Sequence, residues 1–325
     1  MKSMNKTSIN NFFRKFRNFW IHGLIKRGKL DVYPATLIIE TTNICSLSCS
    51  CCPNGYKEIV GRKKGMMSRE AFDRILENID IPLKSVCLYL HGEPFLCKDL
   101  VYFVQRLKER KITAVIYSNG YNIDLDMLER ILQLRNSFFH FSMDISSKED
   151  YEEIRYPGQY EVAVKCLEEI NSVFEKYHSR YEISIITDNQ NHSKIKEKTT
   201  ELFKKYSNLS KISVNSKFPW PRNFYMGDLS GNIEKKECFC KESVSQLAIA
   251  WNGDALFCSY DYGGELIVGN IFTTKLSELY NSPQAMRYRR LHYMYRKNDI
   301  PLCRECLLPK FYGFMATYNR KDFIK

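Results

Sequence analysis

Three cysteines in the first sixth of the chain stand at spacings that suit a metal cluster. Cys45, Cys49 and Cys52 follow one another at intervals of four and three residues, so one tight loop can present three thiolates to a single cluster. A cluster that only carries electrons takes four cysteine ligands, and three ligands therefore leave one iron open for another molecule. A zinc knuckle or a few buried thiols is the alternative, because zinc binds thiolates and free cysteine packs as a small apolar side chain.

A second group of cysteines lies in the last third of the chain. Cys303 and Cys306 form a Cys-x2-Cys pair, which is a common half of a metal site. The other half has to come from the preceding cysteines, which are Cys238, Cys240 and Cys258. A β-hairpin with its turn at Asn252 is predicted between residues 247 and 258, and it brings the last two of them near each other. Four thiolates serve zinc and iron-sulfur clusters alike, so the residues leave both metals open.

The loop 40–53 resembles the hallmark of the radical S-adenosylmethionine (radical SAM) enzymes, a Cys-x3-Cys-x2-Cys loop after the first strand of a partial barrel. The resemblance implies that Cys45, Cys49 and Cys52 hold a 4Fe-4S cluster whose open iron binds SAM. In this family one electron cleaves SAM, and the resulting 5'-deoxyadenosyl radical abstracts a hydrogen atom from the substrate. One position departs from the pattern, because Cys51 stands where a bulky side chain commonly touches adenine.

Other segments resemble the strand ends that contact SAM in this family. His91 to Pro94 resembles a Gly-Gly-Glu-Pro segment, with His91 in place of the first glycine. Glycine allows close approach of the backbone to a ligand, and a carboxylate suits the amino group of SAM. The resemblance implies SAM contacts at Gly92, Glu93, Pro94, Ser118, Asn119, Ser142 and Asp144.

Arg155 resembles an arginine that contacts SAM or substrate in this family, and a surface arginine is the alternative. The residues expected to take part in catalysis are therefore Cys45, Cys49, Cys52 and Arg155.

The second cysteine group resembles the auxiliary-cluster domain of SPASM and twitch radical SAM enzymes, together with the stretch 268–271 and a predicted helix at 276–280. The resemblance implies a second 4Fe-4S cluster, and the ligands that we expect are Cys240, Cys258, Cys303 and Cys306. The single Cys-x2-Cys pair favours one auxiliary cluster, as in the shorter twitch type. Cys238 competes for the first position, and a structural zinc site is the alternative.

Apolar runs and helical patterns alternate from residue 33 to residue 215. Six strands alternating with helices predict an α/β fold, a partial (β/α)6 TIM-like barrel, with active-site residues at the carboxyl ends of the strands. The alternation stops after the proline-rich stretch 218–221, so a small C-terminal cysteine-rich auxiliary-cluster domain is expected. The expected boundaries are 1–32 for a basic amphipathic N-terminal segment, 33–222 for the radical SAM partial barrel and 223–325 for the SPASM/twitch-like domain.

The composition narrows the class of protein. The chain has 325 residues, twelve cysteines and a formal net charge of +12. Many cysteines without a secretory signal predict a reducing compartment, so we expect a cytoplasmic protein. The sequence has no apolar run long enough to predict a membrane span. Segment 1–32 either docks on the barrel or contacts an anionic membrane surface. No nucleic-acid-binding motif accompanies the charge, so nucleic acid is not expected as a partner.

Two cluster sites suit a two-electron oxidation, because the second cluster can remove an electron from a substrate radical. We therefore expect a dehydrogenase-type oxidoreductase that acts on a small-molecule substrate such as a sugar, a cyclitol or a similar alcohol. An external one-electron donor, such as flavodoxin or ferredoxin, is the expected protein partner. The alternatives are an enzyme that modifies or matures a peptide or protein and a non-enzymatic iron-sulfur regulatory or scaffold protein.

Overall fold

The computed structural model describes residues 33–55, 62–187, 192–215, 240–304, 306–307 and 315–323. Segment 1–32, the stretch 218–221 and Cys238 lie outside these residues, so the expected membrane contact of segment 1–32 stays a prediction. Within the described residues, no helix is long and apolar enough to cross a membrane.

Six parallel strands form the centre of one sheet. They are β1 (Thr36–Ile39), β2 (Ser85–Leu88), β3 (Thr113–Ser118), β4 (Ser137–Ser142), β5 (Tyr181–Ile186) and β6 (Leu209–Asn215). They stand in chain order, and each strand pairs in parallel with the next. Because all six run in the same direction, their carboxyl ends meet at one edge, and the first cysteine loop begins there.

Helices in the described chain connect these strands and cover one face of the sheet. They are α1 (Arg69–Glu77), α2 (Leu100–Glu109), α3 (Leu125–Gln133), α4 (Lys148–Ile154), α5 (Tyr160–Lys176) and α6 (His192–Lys205). Ser68 and Asp124 cap α1 and α3, because each side chain accepts a hydrogen bond from a backbone N–H three residues further on. In α1 the apolar face that packs inward consists of Phe72, Ile75 and Leu76, at helical spacing.

The C-terminal strands extend both edges of the same sheet. They are β7 (Ala248–Ile249), β8 (Asp254–Leu256), β9 (Ile267–Asn270) and β10 (Met315–Asn319). β7 pairs in parallel with β1, β8 and β9 follow antiparallel, and β10 pairs antiparallel with β6. The helices of this region are α7 (Glu242–Ser245), α8 (Leu276–Tyr280), α9 (Pro283–Tyr293) and α10 (Pro301–Arg304). The hairpin at Asn252 and α8 were predicted, whereas α9 and β10 were not.

The order of the described strands is β10-β6-β5-β4-β3-β2-β1-β7-β8-β9, and the sheet does not close on itself. The predicted α/β fold with a partial barrel is therefore confirmed. The domain boundary between residues 222 and 223 stays a prediction. The described C-terminal strands add to the barrel sheet instead of forming a second one.

Apolar side chains pack on both faces of the sheet. The larger cluster lies between the sheet and its helices and includes Leu37, Val86 and Phe139. A smaller cluster lies on the opposite side, where Ile38 packs with Leu256 and with other small and aromatic side chains. We call this second side the inner face.

Candidate active site and cluster-binding cavity

Cys45, Cys49 and Cys52 lie in the loop that follows β1, at the edge where the parallel strands end. The loop is tied to the end of α4, because the Ser50 N–H donates to the carbonyl oxygen of Ile154 at 2.9 Å. The three thiols are near enough for their charges to interact, and burial raises the pKa of Cys45 to about 12. Metal coordination deprotonates a thiol outright, so three thiols gathered in one loop fit the predicted three-cysteine cluster.

Each of these thiols is contacted by a polar side chain from a different part of the chain. The contacts are Asn119 Nδ2 to Cys45 Sγ at 3.7 Å, Arg155 Nη1 to Cys49 Sγ at 3.7 Å and the Tyr262 hydroxyl to Cys52 Sγ at 3.3 Å. Hydrogen bonds to ligand sulfurs orient the ligands and tune the potential of a cluster. Asn119 and Arg155 were predicted site residues, whereas Tyr262 was not.

Gly92 and Glu93 bring the end of β2 against the end of β1. A Cβ atom on Gly92 would lie 2.3 Å from the carbonyl oxygen of Thr42, so this approach requires glycine. The buried Glu93 carboxylate accepts hydrogen bonds from the hydroxyl and a backbone N–H of segment 118–119, at 2.9 and 2.8 Å. Pro94 follows, buried, in a short 3-10 turn. Burial raises the pKa of Glu93. The predicted contact with the amino group of SAM would offset that cost.

Asp144 and Arg155 form a buried ion pair next to the cysteine loop. The Asp144 carboxylate accepts hydrogen bonds from Arg155 Nε at 2.5 Å and from the Ile186 N–H. Burial opposes the charge of Arg155, but the Asp144 carboxylate raises the pKa of the guanidinium well above its usual value. Arg155 is therefore not a surface arginine. Ser142 lies two positions before Asp144 and is hydrogen-bonded to Ser184 at 3.1 Å.

Cys51, the departure from the family pattern, lies on the side of the loop that faces this ion pair. Its side chain interacts electrostatically with Arg155, Asp144 and Cys49, and burial raises the pKa of its thiol. The adenine contact that the family places at this position stays without an assigned residue.

The four predicted auxiliary ligands line one cavity. These ligands are Cys240, Cys258, Cys303 and Cys306. Lys297 Nζ donates to the carbonyl oxygens of Cys303 and Cys306 at 3.1 and 2.7 Å, which fixes the Cys-x2-Cys turn. Apolar walls and four thiols fit a cluster held by four cysteines. Among the described residues, no group of three or more His, Cys, Asp or Glu side chains is placed so that it could hold a single metal ion.

A buried network joins the strand ends to the C-terminal region. Arg62 donates to both carboxylate oxygens of Glu40 at 2.9 and 2.7 Å, and its Nη2 lies 2.8 Å from His91 Nδ1. Burial lowers the pKa of His91, and its contact with Glu40, whose Oε1 lies 3.1 Å from Nδ1, opposes this shift. A ring hydrogen is assigned to Nε2, because the carbonyl oxygen of Ser259, 3.1 Å away, can only accept. The His91 ring also lies 3.8 Å from the ring of Tyr262. The sequence showed only that His91 replaces a glycine.

Four polar side chains form a row across the inner face, and we call Tyr117, His140, Glu182 and Lys211 the inner polar row. They occupy paired positions on β3, β4, β5 and β6. The Tyr117 and His140 ring centroids are 4.9 Å apart, and Glu182 Oε2 lies 3.5 Å from His140 Nδ1 and 2.5 Å from Lys211 Nζ. Burial raises the pKa of Glu182, but the hydrogen bonds from His140 and Lys211 outweigh it and lower the pKa, so the carboxylate is ionised.

Comparisons with known proteins place each of the two cysteine groups inside a matched family domain. The family model of the radical SAM superfamily matches residues 39–206, and that of the SPASM iron-sulfur cluster-binding domain matches residues 238–307. A relative from Niallia circulans, an S-adenosyl-L-methionine-dependent 2-deoxy-scyllo-inosamine dehydrogenase, is 19% identical over 285 residues, which cover 85% of this chain and 94% of the relative.

Solved structures share the fold. BtrN in complex with AdoMet and 2-DOIA is 16% identical with a TM-score of 0.55, and the match covers 88% of this chain and 100% of BtrN. SuiB of Streptococcus suis bound to S-adenosylmethionine is 17% identical with a TM-score of 0.66, and the match covers 94% of this chain and 79% of SuiB. The chain therefore belongs to the radical SAM superfamily and carries a C-terminal SPASM domain, two families whose cofactors are SAM and 4Fe-4S clusters.

Proposed function

We propose that the protein is a radical SAM dehydrogenase that oxidises an alcohol group of a small polyhydroxylated molecule, such as a sugar or a cyclitol. The observation that carries this proposal is the inner polar row. An enzyme that oxidises a hydroxyl group needs polar side chains inside its barrel that bind neighbouring hydroxyls and take up the released proton. The row offers both kinds of group on one face of the sheet.

The inner polar row lies deeper in the sheet than the proposed SAM contacts. Along β4, His140 and Ser142 share the inner face, because alternate residues of a strand point to the same side. The order from the carboxyl edge inward is Asp144, then the Ser142–Ser184 pair, then His140 with Glu182. A small molecule bound below SAM would therefore meet hydroxyl groups first and the His140–Glu182 pair beneath them.

The chemistry of alcohol oxidation gives these side chains specific tasks. Conversion to a carbonyl removes a hydrogen atom from carbon, a proton from oxygen and one electron. When bound, SAM and its cluster supply the radical that takes the hydrogen atom, and the auxiliary cluster supplies an acceptor for the electron. His140 is the proposed acceptor of the proton, because the Glu182 carboxylate beside it stabilises the positive charge that the ring acquires. Lys211 pairs with Glu182 on its other side and balances the charge of the carboxylate.

Two tyrosines extend the row in the direction of β1. The ring centroids of Tyr89 and Tyr117 are 4.6 Å apart, with their planes inclined by 42°. Such rings offer an apolar face beside a polar hydroxyl. This combination suits a sugar or cyclitol ring, whose C–H groups and hydroxyls alternate.

The extent of two matches also supports a small substrate. The Niallia circulans dehydrogenase is covered over 94% of its length, and BtrN over all of it.

Anaerobic incubation of the cluster-loaded protein with SAM and dithionite tests the proposal. Dithionite stands in for the proposed partner, a one-electron donor such as flavodoxin or ferredoxin. We expect 5'-deoxyadenosine to form, and 2-deoxy-scyllo-inosamine, used as the first probe, to lose two hydrogen atoms. If 5'-deoxyadenosine never forms after both clusters are rebuilt, the enzymatic function is wrong. If it forms while a panel of sugars and cyclitols stays unoxidised, the dehydrogenase function is wrong.

Peptide modification is the second candidate, and the similarity to SuiB bound to the precursor peptide SuiA, with a TM-score of 0.65, favours it. The test is a search for a small precursor peptide encoded beside the gene, followed by incubation of any such peptide with the cluster-loaded protein and SAM. A change in the mass of that peptide that depends on SAM would replace the dehydrogenase proposal.

A further inference from the structure

We propose that Tyr262 donates a hydrogen bond to Cys52 and thereby raises the reduction potential of the SAM-binding cluster, and that His91 positions Tyr262 for this role. The proposal rests on Cys52 as a cluster ligand. It does not depend on the identity of the substrate.

The geometry of Tyr262 gives the direction of this hydrogen bond. Its hydroxyl lies 3.3 Å from Cys52 Sγ, and its side chain is buried. A thiolate that ligates iron carries no proton, so its sulfur can only accept. The tyrosine hydroxyl is then the donor.

Two side chains of the barrel hold the segment that carries Tyr262. Arg62 Nε donates to the carbonyl oxygen of Tyr262 at 3.2 Å, while the same guanidinium is fixed by both oxygens of Glu40. His91 Nε2 donates to the carbonyl oxygen of Ser259 at 3.1 Å, and its ring packs against the phenol. The hydroxyl of Tyr262 is therefore aimed at Cys52 by a pair of contacts to backbone atoms and one ring contact.

The contacts of the His91 side chain give a physical reason for a histidine where the family pattern has glycine. Glycine has no side chain that could reach Ser259, whereas the imidazole spans the gap between the end of β2 and the C-terminal region. The turn that follows is fixed from within, because Asp261 accepts hydrogen bonds from the N–H groups of Glu265 and Leu266 at 2.9 and 2.7 Å. The Tyr262 hydroxyl, which is the donor, is therefore carried by a turn that its own hydrogen bonds hold rigid.

The position of Tyr262 links the two cluster sites. Segment 258–262 begins at Cys258, which lines the auxiliary cavity, and ends at the residue that contacts Cys52. Hydrogen bonds to cluster sulfurs stabilise the added negative charge of the reduced state and so raise the potential. Folding of the C-terminal region around its own cluster would thereby prepare the first cluster to accept an electron.

Potentiometric titration of the reduced-cluster EPR signal tests this inference on the cluster-loaded protein. We expect Tyr262→Phe to shift the midpoint of the SAM-binding cluster to a lower potential while the iron content per chain is unchanged. Tyr260→Phe is the matched control, because Tyr260 lies on the same segment but interacts with the auxiliary cysteines. Tyr260→Phe should leave the midpoint potential of the SAM-binding cluster unchanged. An unchanged midpoint in Tyr262→Phe overturns the proposal.

A second variant covers the case in which Tyr262→Phe does not retain its cluster. Incorporation of 3-fluorotyrosine at position 262 keeps the shape of the side chain and makes its hydroxyl more acidic, so the midpoint should move to a higher potential. No movement, or movement to a lower potential, contradicts the proposal.

The positioning role of His91 has its own readout. His91→Leu removes the contact with Ser259 and should lower the midpoint in the same direction as Tyr262→Phe. His91→Gln places an amide N–H near the position of Nε2 and should restore part of the shift. If His91→Leu leaves the midpoint unchanged, the role of His91 is wrong.

Discussion

Arg155 and Asp144 show how one buried pair supports the cysteine loop. Arg155 contacts Cys49 Sγ and the Asp144 carboxylate, and both charged side chains are buried. The resemblance predicted that Arg155 contacts SAM or substrate. The sequence could not show its pairing with Asp144 inside the protein, because burial depends on how α4 packs against the strand ends.

Replacing Arg155 by methionine should destabilise the protein by about 3–5 kcal/mol, because the Asp144 carboxylate would stay buried without its cation. Anaerobic urea denaturation of the cluster-loaded protein measures the loss. The double variant Asp144→Asn/Arg155→Met should recover part of it, since no unpaired charge remains. Arg155→Met with the stability of the wild type would show that the pair does not hold the loop.

Glu40 gives the protein an acid-sensitive contact. Burial raises the pKa of this carboxyl, but its contacts with His91 and the paired hydrogen bonds from Arg62 lower it to about 2. The folded pKa is below the unfolded value, so the contribution to stability is present above about pH 4.5 and is lost as the pH falls toward 2. A shift of this size corresponds to about 3 kcal/mol.

Glu40→Gln should therefore be less stable than the wild type at neutral pH, and its stability should change less between about pH 4.5 and pH 3. Urea denaturation at a series of pH values, with the iron content measured at each, provides the comparison. Parallel pH profiles for the two proteins would show that Glu40 does not titrate in this window.

At the scale of the strands and helices, the periodicity of the sequence predicted most elements. It did not predict which side chains of neighbouring strands lie next to each other. The alternation of buried and half-buried residues in β3 to β6 follows from their sequences. The inner polar row depends instead on register, which pairs His140 with Tyr117 and Glu182, and Glu182 with Lys211. A shift of one residue in any pair would break the row. The signal in the sequence that could have indicated the row was a polar residue at an inner position of a buried strand.

His140→Asn should lower product formation by about 100-fold or more, the usual contribution of a general base, while substrate-independent formation of 5'-deoxyadenosine persists. Liquid chromatography of both products from one reaction measures the ratio. His178→Asn is the matched control, because His178 lies outside the row and has a positive φ of 49°, which asparagine tolerates. Equal ratios in the two variants would remove His140 from the proposed chemistry.

At the scale of the whole molecule, the C-terminal region completes the barrel sheet. β7 pairs with β1 through Ile38 and Ile39, and the Trp251 N–H donates to the Glu40 carboxylate at 3.2 Å. The Cys-x2-Cys spacing and the family resemblance together gave the predicted cysteine ligands of this region. Contacts such as Tyr262 to Cys52, which are 210 positions apart, depend on the three-dimensional arrangement and left no local pattern.

A chain that ends at residue 222 should therefore fail to hold the first cluster, although it contains all three predicted ligands. The edge of β1 would be exposed, and unpaired strand edges favour aggregation. Size-exclusion chromatography and iron analysis after anaerobic reconstitution test this expectation. A monomer that binds SAM and about four iron atoms by the stoichiometry of one cubane would show that the barrel is independent.

The two cluster sites should be separable by mutation. Replacing Cys45, Cys49 and Cys52 by alanine should abolish SAM cleavage and leave about four iron atoms per chain in the auxiliary cluster. Replacing Cys303 should remove the other cluster while slow SAM cleavage without product formation remains, because the first loop keeps its ligands. Iron analysis with Mössbauer spectroscopy, beside a 5'-deoxyadenosine assay, distinguishes the variants. Full iron content after loss of Cys303 would assign the auxiliary cluster to another ligand set, for which Cys238 is the first candidate.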